Sequence, residues 1–168
     1  MLEEKGYKEI ILLGGSFGAS IVSLFPFNKY HSVKAIVLWY GCLDYDYARF
    51  GNLFTKENMA VAEQNGYYVS RSINTGEEFR FGLELFKETH QYKPYEKLIA
   101  CYLPKLFVHG EADSVLTYKL SEEVSKKCSN ATFKLVHNGE HTFMNSDDAI
   151  HDAIKVTIDF IKEVIIWN

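Results

Sequence analysis

The stretch Ile10-Ile11-Leu12-Leu13-Gly14-Gly15-Ser16-Phe17-Gly18 decides how the rest of the chain is read. Consecutive apolar residues predict a strand buried on both faces, because a strand with one wet face would alternate. After the serine no proline intervenes until Pro26, so a helix is expected to about Phe25. A strand that passes through a glycine-flanked serine into a helix forces a tight turn. Small neighbours let the two elements approach, and the serine takes strained backbone angles with its Oγ held at the C-terminal edge of the sheet. The backbone N–H of Phe17 then points to where a carbonyl oxygen would become an oxyanion. The plainer alternative is a structural glycine-rich turn with an incidental serine.

Working outward, Glu9 to Leu13, Val33 to Trp39, Lys105 to His109 and Thr132 to His137 each read as a strand. Helical segments separate them. Leu116, Leu120, Val124 and Cys128 fall on one stripe, with Lys126 and Lys127 at the negative end of that helix. The last segment, Asp147 to Trp167, has acidic residues at its start and spaces Ile150, Ile154, Ile158, Ile161 and Ile165 along one predicted buried face. Alternating strands and helices predict an α/β fold, a parallel sheet of about four strands with right-handed crossovers. Residues 41–103 break this rhythm. They carry Tyr45, Tyr47, Phe50, Phe54, Tyr67, Tyr68, Phe79, Phe81, Phe86, Tyr92 and Tyr95, and read as a helical insertion that could cover the site as a lid. Ordinary packing by the same aromatics is the alternative.

Composition sets the outer bounds. The chain has 168 residues, 47% of them hydrophobic and 15% aromatic, enough for a single domain with its own core. A formal net charge of −4 and the lack of a basic stripe speak against nucleic acid. Cys42, Cys101 and Cys128 are scattered and odd in number, which argues against a disulfide framework or a zinc site; no metal or cofactor is expected. The first residues do not form a signal peptide, and no apolar run could span a bilayer, so a cytoplasmic setting away from membranes is expected.

A serine hydroxyl needs a base to take its proton. His141, in Asn138-Gly139-Glu140-His141-Thr142-Phe143 just after the last strand, fits that role. His137 is a rival at the strand end, while His31, His90 and His151 read as surface residues. The base needs an acid to hold its tautomer. Asp113, in His109-Gly110-Glu111-Ala112-Asp113 after the third strand, fits, with Glu111 as an alternative and Asp44 or Asp46 as weaker ones. The order Ser, Asp, His matches the α/β-hydrolase order.

On these motifs the chain resembles the α/β-hydrolases, and within them small carboxylesterases of the feruloyl-esterase-like and monoacylglycerol-lipase-like types. Residues 12–18, 106–113 and 139–143 carry the resemblance, which runs over essentially the whole chain. It implies Ser16 as nucleophile, Asp113 as acid and His141 as base. Gly15 stands where many relatives have histidine. In the family a long section precedes the elbow and supplies further strands and a second oxyanion donor. Here the elbow begins at residue 14, so the expected fold is the C-terminal part of the family's, with Phe17 N–H as the built-in donor.

Two expectations follow. The strand at residues 9–13 has an open edge, and a second copy of the chain should cover it in a homodimer. The expected activity is hydrolysis of small acyl or aryl esters through an acyl-enzyme at Ser16, although the same triad serves thioesters and amides. The competing readings are a weak or inactive binding or assembly module, or one piece of a split hydrolase.

Overall fold

Apolar, β-branched segments dominate the centre of the molecule. Val33–Trp39 (β2) and Lys105–Gly110 (β5) pair in parallel, with Leu38 opposite Phe107 and Trp39 opposite Val108. Ile10–Gly15 (β1) flanks β2, and Ala131–Val136 (β6) flanks β5, so the sheet order is β1-β2-β5-β6 and every pairing is parallel. β5 is buried along its whole length, as a strand covered on both faces must be. This is a computed structural model, and it describes residues 2–45, 53–71, 76–89 and 91–166.

Helices cover the two faces. On one side, Phe17–Ser23 (α1), Pro94–Ala100 (α4) and Tyr118–Lys127 (α5) pack over a core that includes Ala19, Leu38, Leu98, Phe107 and Val124. Leu120, Val124 and Cys128 face this core, as their four-residue spacing predicts, while Leu116, just before the helix, is buried in a separate cluster with Cys42 and Tyr45. On the other side lies the long helix Asp147–Ile166 (α6), over Ala35, Val37, Leu106 and Val108. The fold is that of an α/β-hydrolase: a four-stranded parallel sheet flanked by helices.

The register of α6 differs from the expected one. Its buried side is formed by Ala149, Ala153, Thr157, Phe160 and Val164, whereas Ile154, Ile158 and Ile165 are 40%, 44% and 44% exposed. Small residues take the first three of these positions, where the helix lies against the sheet, and Phe160 and Val164 continue the same face. Thr157 accepts a hydrogen bond from Trp39 Nε1 at 2.9 Å and donates one to Ala153 O. The isoleucine stripe is equally periodic but is rotated by about 100°, one residue, around the helix.

The inserted stretch also differs in part. It contains the helices Lys56–Asn65 (α2), Leu83–Thr89 (α3) and α4, as expected. Between α2 and α3 runs an antiparallel hairpin, Tyr67–Arg71 (β3) with Glu78–Gly82 (β4). Its alternation shows at residues 67–71, where exposed and half-buried positions follow one another. Tyr47 and Phe50 fall outside the described residues. Phe86 is buried and takes edge-on contacts from Phe54 and Tyr68, and Phe54 packs in turn on the cluster of Cys42, Tyr45 and Leu116.

Candidate active site

β1 ends at Gly15, and Ser16 follows with φ 51° and ψ −122°, a backbone state that side chains rarely take. The strain is held by neighbours on both sides. Ser16 N–H donates to Trp39 O at 3.0 Å, and Cys42 N–H donates to Ser16 O at 3.0 Å. Gly14 permits the turn: a Cβ there would lie 2.3 Å from Gly18 O. The predicted strand–turn–helix arrangement is therefore present, and Phe17 is the first residue of α1.

β5 and β6 deliver the other two residues. After β5, the Asp113 side chain is fully buried and its carboxylate is saturated. Oδ1 accepts from the backbone N–H groups of Val115 and Leu116 at 2.9 and 2.8 Å. Oδ2 accepts from His141 Nδ1 at 2.8 Å and from His109 Nε2 at 3.1 Å. Burial by itself pushes this carboxyl up, but the hydrogen bonds from His109, His141 and Leu116 outweigh it and hold the group well below the usual carboxylate range.

After β6 the chain turns through Asn138 (φ 53°), Thr142 (φ 75°) and Phe143 (φ 61°). Buried Phe143 anchors this turn against Trp39 and Tyr40. Gly110 lets the turn press on the end of β5, since a Cβ there would sit 2.1 Å from Gly139 O. The result is that His141 Nε2 lies 3.1 Å from Ser16 Oγ, across 125 residues of sequence. With Nδ1–H donating to Asp113, Nε2 is the free acceptor for the serine O–H.

The rival residues lie elsewhere. His137 sits just past β6, not within it, and is paired with Glu111 at 2.5 Å on the surface. Asp44 is 3.8 Å from Lys93. His31 and His151 are exposed, as expected; Asp46 and His90 lie outside the described residues. Among the described residues no group of His, Cys, Asp and Glu could hold a metal ion, and no helix is long and apolar enough to cross a membrane.

Two aromatic features carried no separate signal in the sequence. Tyr40 (φ 35°) lies edge-on to His141, with ring centroids 4.8 Å apart, and its hydroxyl covers the backbone at Gly15. A chain of ring contacts, Phe17–Tyr45–Phe54–Phe86, joins the turn at Ser16 to the insertion, with centroid spacings of 5.8, 6.2 and 5.5 Å.

The family described as serine hydrolase (FSH1) matches residues 66–153, just over half the chain and a span that includes Asp113 and His141. Among solved structures, the chain is similar to Est1E from Butyrivibrio proteoclasticus bound to ferulic acid, with a TM-score of 0.73 at 17% identity, covering 98% of this chain and 65% of that one. It is also similar to α/β hydrolase domain-containing protein 10 from mouse (TM-score 0.66, 20% identity, 92% and 62% covered). A third similar structure is the monoacylglycerol lipase of Paleococcus ferrophilus (TM-score 0.67, 13% identity, 96% and 71% covered). At these identities the likeness is one of fold, and the chain spans under two thirds of the length of the first two. No curated protein matches the sequence.

Proposed function

We infer that this chain, which belongs to the serine hydrolase (FSH1) family, cleaves small acyl or aryl carboxylic esters through an acyl-enzyme on Ser16. The observation that carries the reading is the continuous donor path from Ser16 Oγ to His141 Nε2 and from His141 Nδ1 to Asp113 Oδ2, at 3.1 and 2.8 Å. In this reading Ser16 Oγ attacks the ester carbonyl while His141 Nε2 takes its proton. The carbonyl oxygen becomes an oxyanion, and the N–H of Phe17 donates to it. His141 then returns the proton to the leaving alcohol as the C–O bond breaks. Water repeats the sequence on the acyl-serine and releases the acid. Asp113 stays ionised throughout, because its hydrogen bonds favour the charged form.

The preference for esters with an apolar or aryl part rests on the aromatic path from Phe17 to Phe86, which would place the insertion beside the scissile bond as a lid. It rests also on the activities named for the similar structures, a ferulic acid complex and a monoacylglycerol lipase. Hydrolysis of p-nitrophenyl acetate by the wild type, lost in Ser16→Ala, tests the reading; equal rates for both would refute it. The setting consistent with three free cysteines is the cytoplasm.

A second reading, assembly through the sheet edge, is favoured by one observation. The outer edge of β1 has no strand partner among the described residues, and beside it lies a groove of about 320 Å³ lined by Leu2, Ile10, Leu12, Phe25 and Tyr30. The partner proposed for this edge is a second copy of the chain.

A further inference from the structure

His109 is the largest buried polar group near the site with no part in proton transfer. It lies within β5 and is 1% exposed. Its partners fix its tautomer. Nε2 faces Asp113 Oδ2 at 3.1 Å and Leu116 O at 2.9 Å, and both are acceptors, so Nε2 carries the hydrogen and shares it between them. On the opposite side Nδ1 lies 2.9 Å from Ser121 Oγ, whose O–H donates to it. The ring is thus pinned from α5 on one side and from the segment after β5 on the other.

We propose that His109 is a positioning residue of the triad: shared between Asp113 Oδ2 and Leu116 O, and locked by Ser121, its Nε2–H sets the direction and strength of the bond between Asp113 and His141. The argument is one of competition. His109 and His141 donate to the same carboxylate oxygen, so each limits the negative charge the other meets. With His109 in place, Oδ2 cannot swing toward β5, and part of its charge is already engaged. Without it, Oδ2 has His141 as its remaining donor and grips the imidazolium harder. The titratable groups facing the carboxylate are His109 from β5 and His141 from the turn after β6. The group facing His141 from the end of β2 is Tyr40.

The role rests on the reading of Ser16, Asp113 and His141 as a triad, but its test does not need turnover. The ring of His141 is titrated by NMR in the wild type, in His109→Met, which fills the space without a donor, and in His109→Gln, whose amide N–H replaces Nε2–H. In folded His109→Met the midpoint should rise by roughly half a unit or more, with kcat lowered about tenfold and KM little changed. His109→Gln should restore both. A His141 midpoint in the Met variant equal to or below that of the wild type overturns the proposal, as does a Gln variant that behaves like Met. Should the Met variant fail to fold, Ser121→Ala carries the test. Releasing His109 from its far side should move the midpoint upward too, and no movement overturns the proposal. A wild type that hydrolyses no ester defeats the functional reading alone, since the titration is decided independently.

Discussion

The ring of Tyr40 stands edge-on to the imidazole of His141, with centroids 4.8 Å apart, and Tyr40 in turn packs edge-on to Phe143, 5.1 Å away. His141 is therefore held by an aromatic contact as well as by hydrogen bonds at both nitrogens. Tyr40→Ala should lower the melting temperature, with a loss of about 2 kcal/mol for a half-buried aromatic. It should also lower kcat by roughly tenfold, because a base displaced by a fraction of an ångström transfers protons poorly. Thermal unfolding and steady-state kinetics of the variant check both.

Gly14 and Gly110 predict the sharpest stability losses. A methyl group at either would overlap backbone, at 2.3 Å from Gly18 O or 2.1 Å from Gly139 O, and backbone in a packed turn cannot move aside cheaply. Gly14→Ala and Gly110→Ala should each cost about 3 kcal/mol or more. Urea unfolding measures this; a cost below that of an ordinary surface substitution would mean the turns are looser than described.

Asp113 makes stability depend on pH in a defined direction. Its folded-state carboxyl lies below the usual range, so between about pH 4 and its depressed midpoint the unfolded chain binds a proton that the folded chain does not. The contribution is complete above about pH 4 and is lost as the pH falls through the folded midpoint. Asp113→Asn lacks this contribution, and its unfolding free energy should fall less steeply on acidification. At neutral pH the same variant should be less stable by about 3 kcal/mol, since donors that faced a carboxylate oxygen would face an amide. Its turnover should drop on the order of 10⁴-fold.

The sheet edge supplies a separate prediction. Leu13 is 50% exposed on β1. If a second copy covers this strand, light scattering with size exclusion should give a dimer at micromolar concentration, and Leu13→Lys should shift it toward monomer. A monomeric wild type would contradict the proposed partner.

Much of this arrangement is legible in the chain itself, for identifiable reasons. Largely apolar runs at 33–39 and 105–109 are the two central strands of the sheet, whereas the run at 10–13, expected to be covered on both faces, forms the edge strand β1 and leaves Leu13 half exposed. Glycines around Ser16, after His109 and before His141 mark the turns that close on one another. What escaped reading depends on distances that sequence does not encode. His109 lies in a quoted motif, yet its role emerges only where Ser121, Leu116 and Asp113 converge on it. On α6 hydropathy points to the isoleucine stripe, whereas close approach to the sheet selects Ala149 and Ala153. The hairpin at Tyr67–Arg71 and Glu78–Gly82 did leave a signal, the alternation of Phe79-Arg80-Phe81 and the aromatic and β-branched Tyr67-Tyr68-Val69, which dense aromatic content concealed.

The central claim is that Ser16 is an activated nucleophile, and a fluorophosphonate probe tests it most directly. The wild type should be labelled at pH 7 to 8, with the adduct mapped by mass spectrometry to Ser16 and absent in folded Ser16→Ala and strongly reduced in His141→Ala. Labelling that persists in folded Ser16→Ala, or a wild type that remains unlabelled under conditions that modify an ordinary esterase, would contradict it.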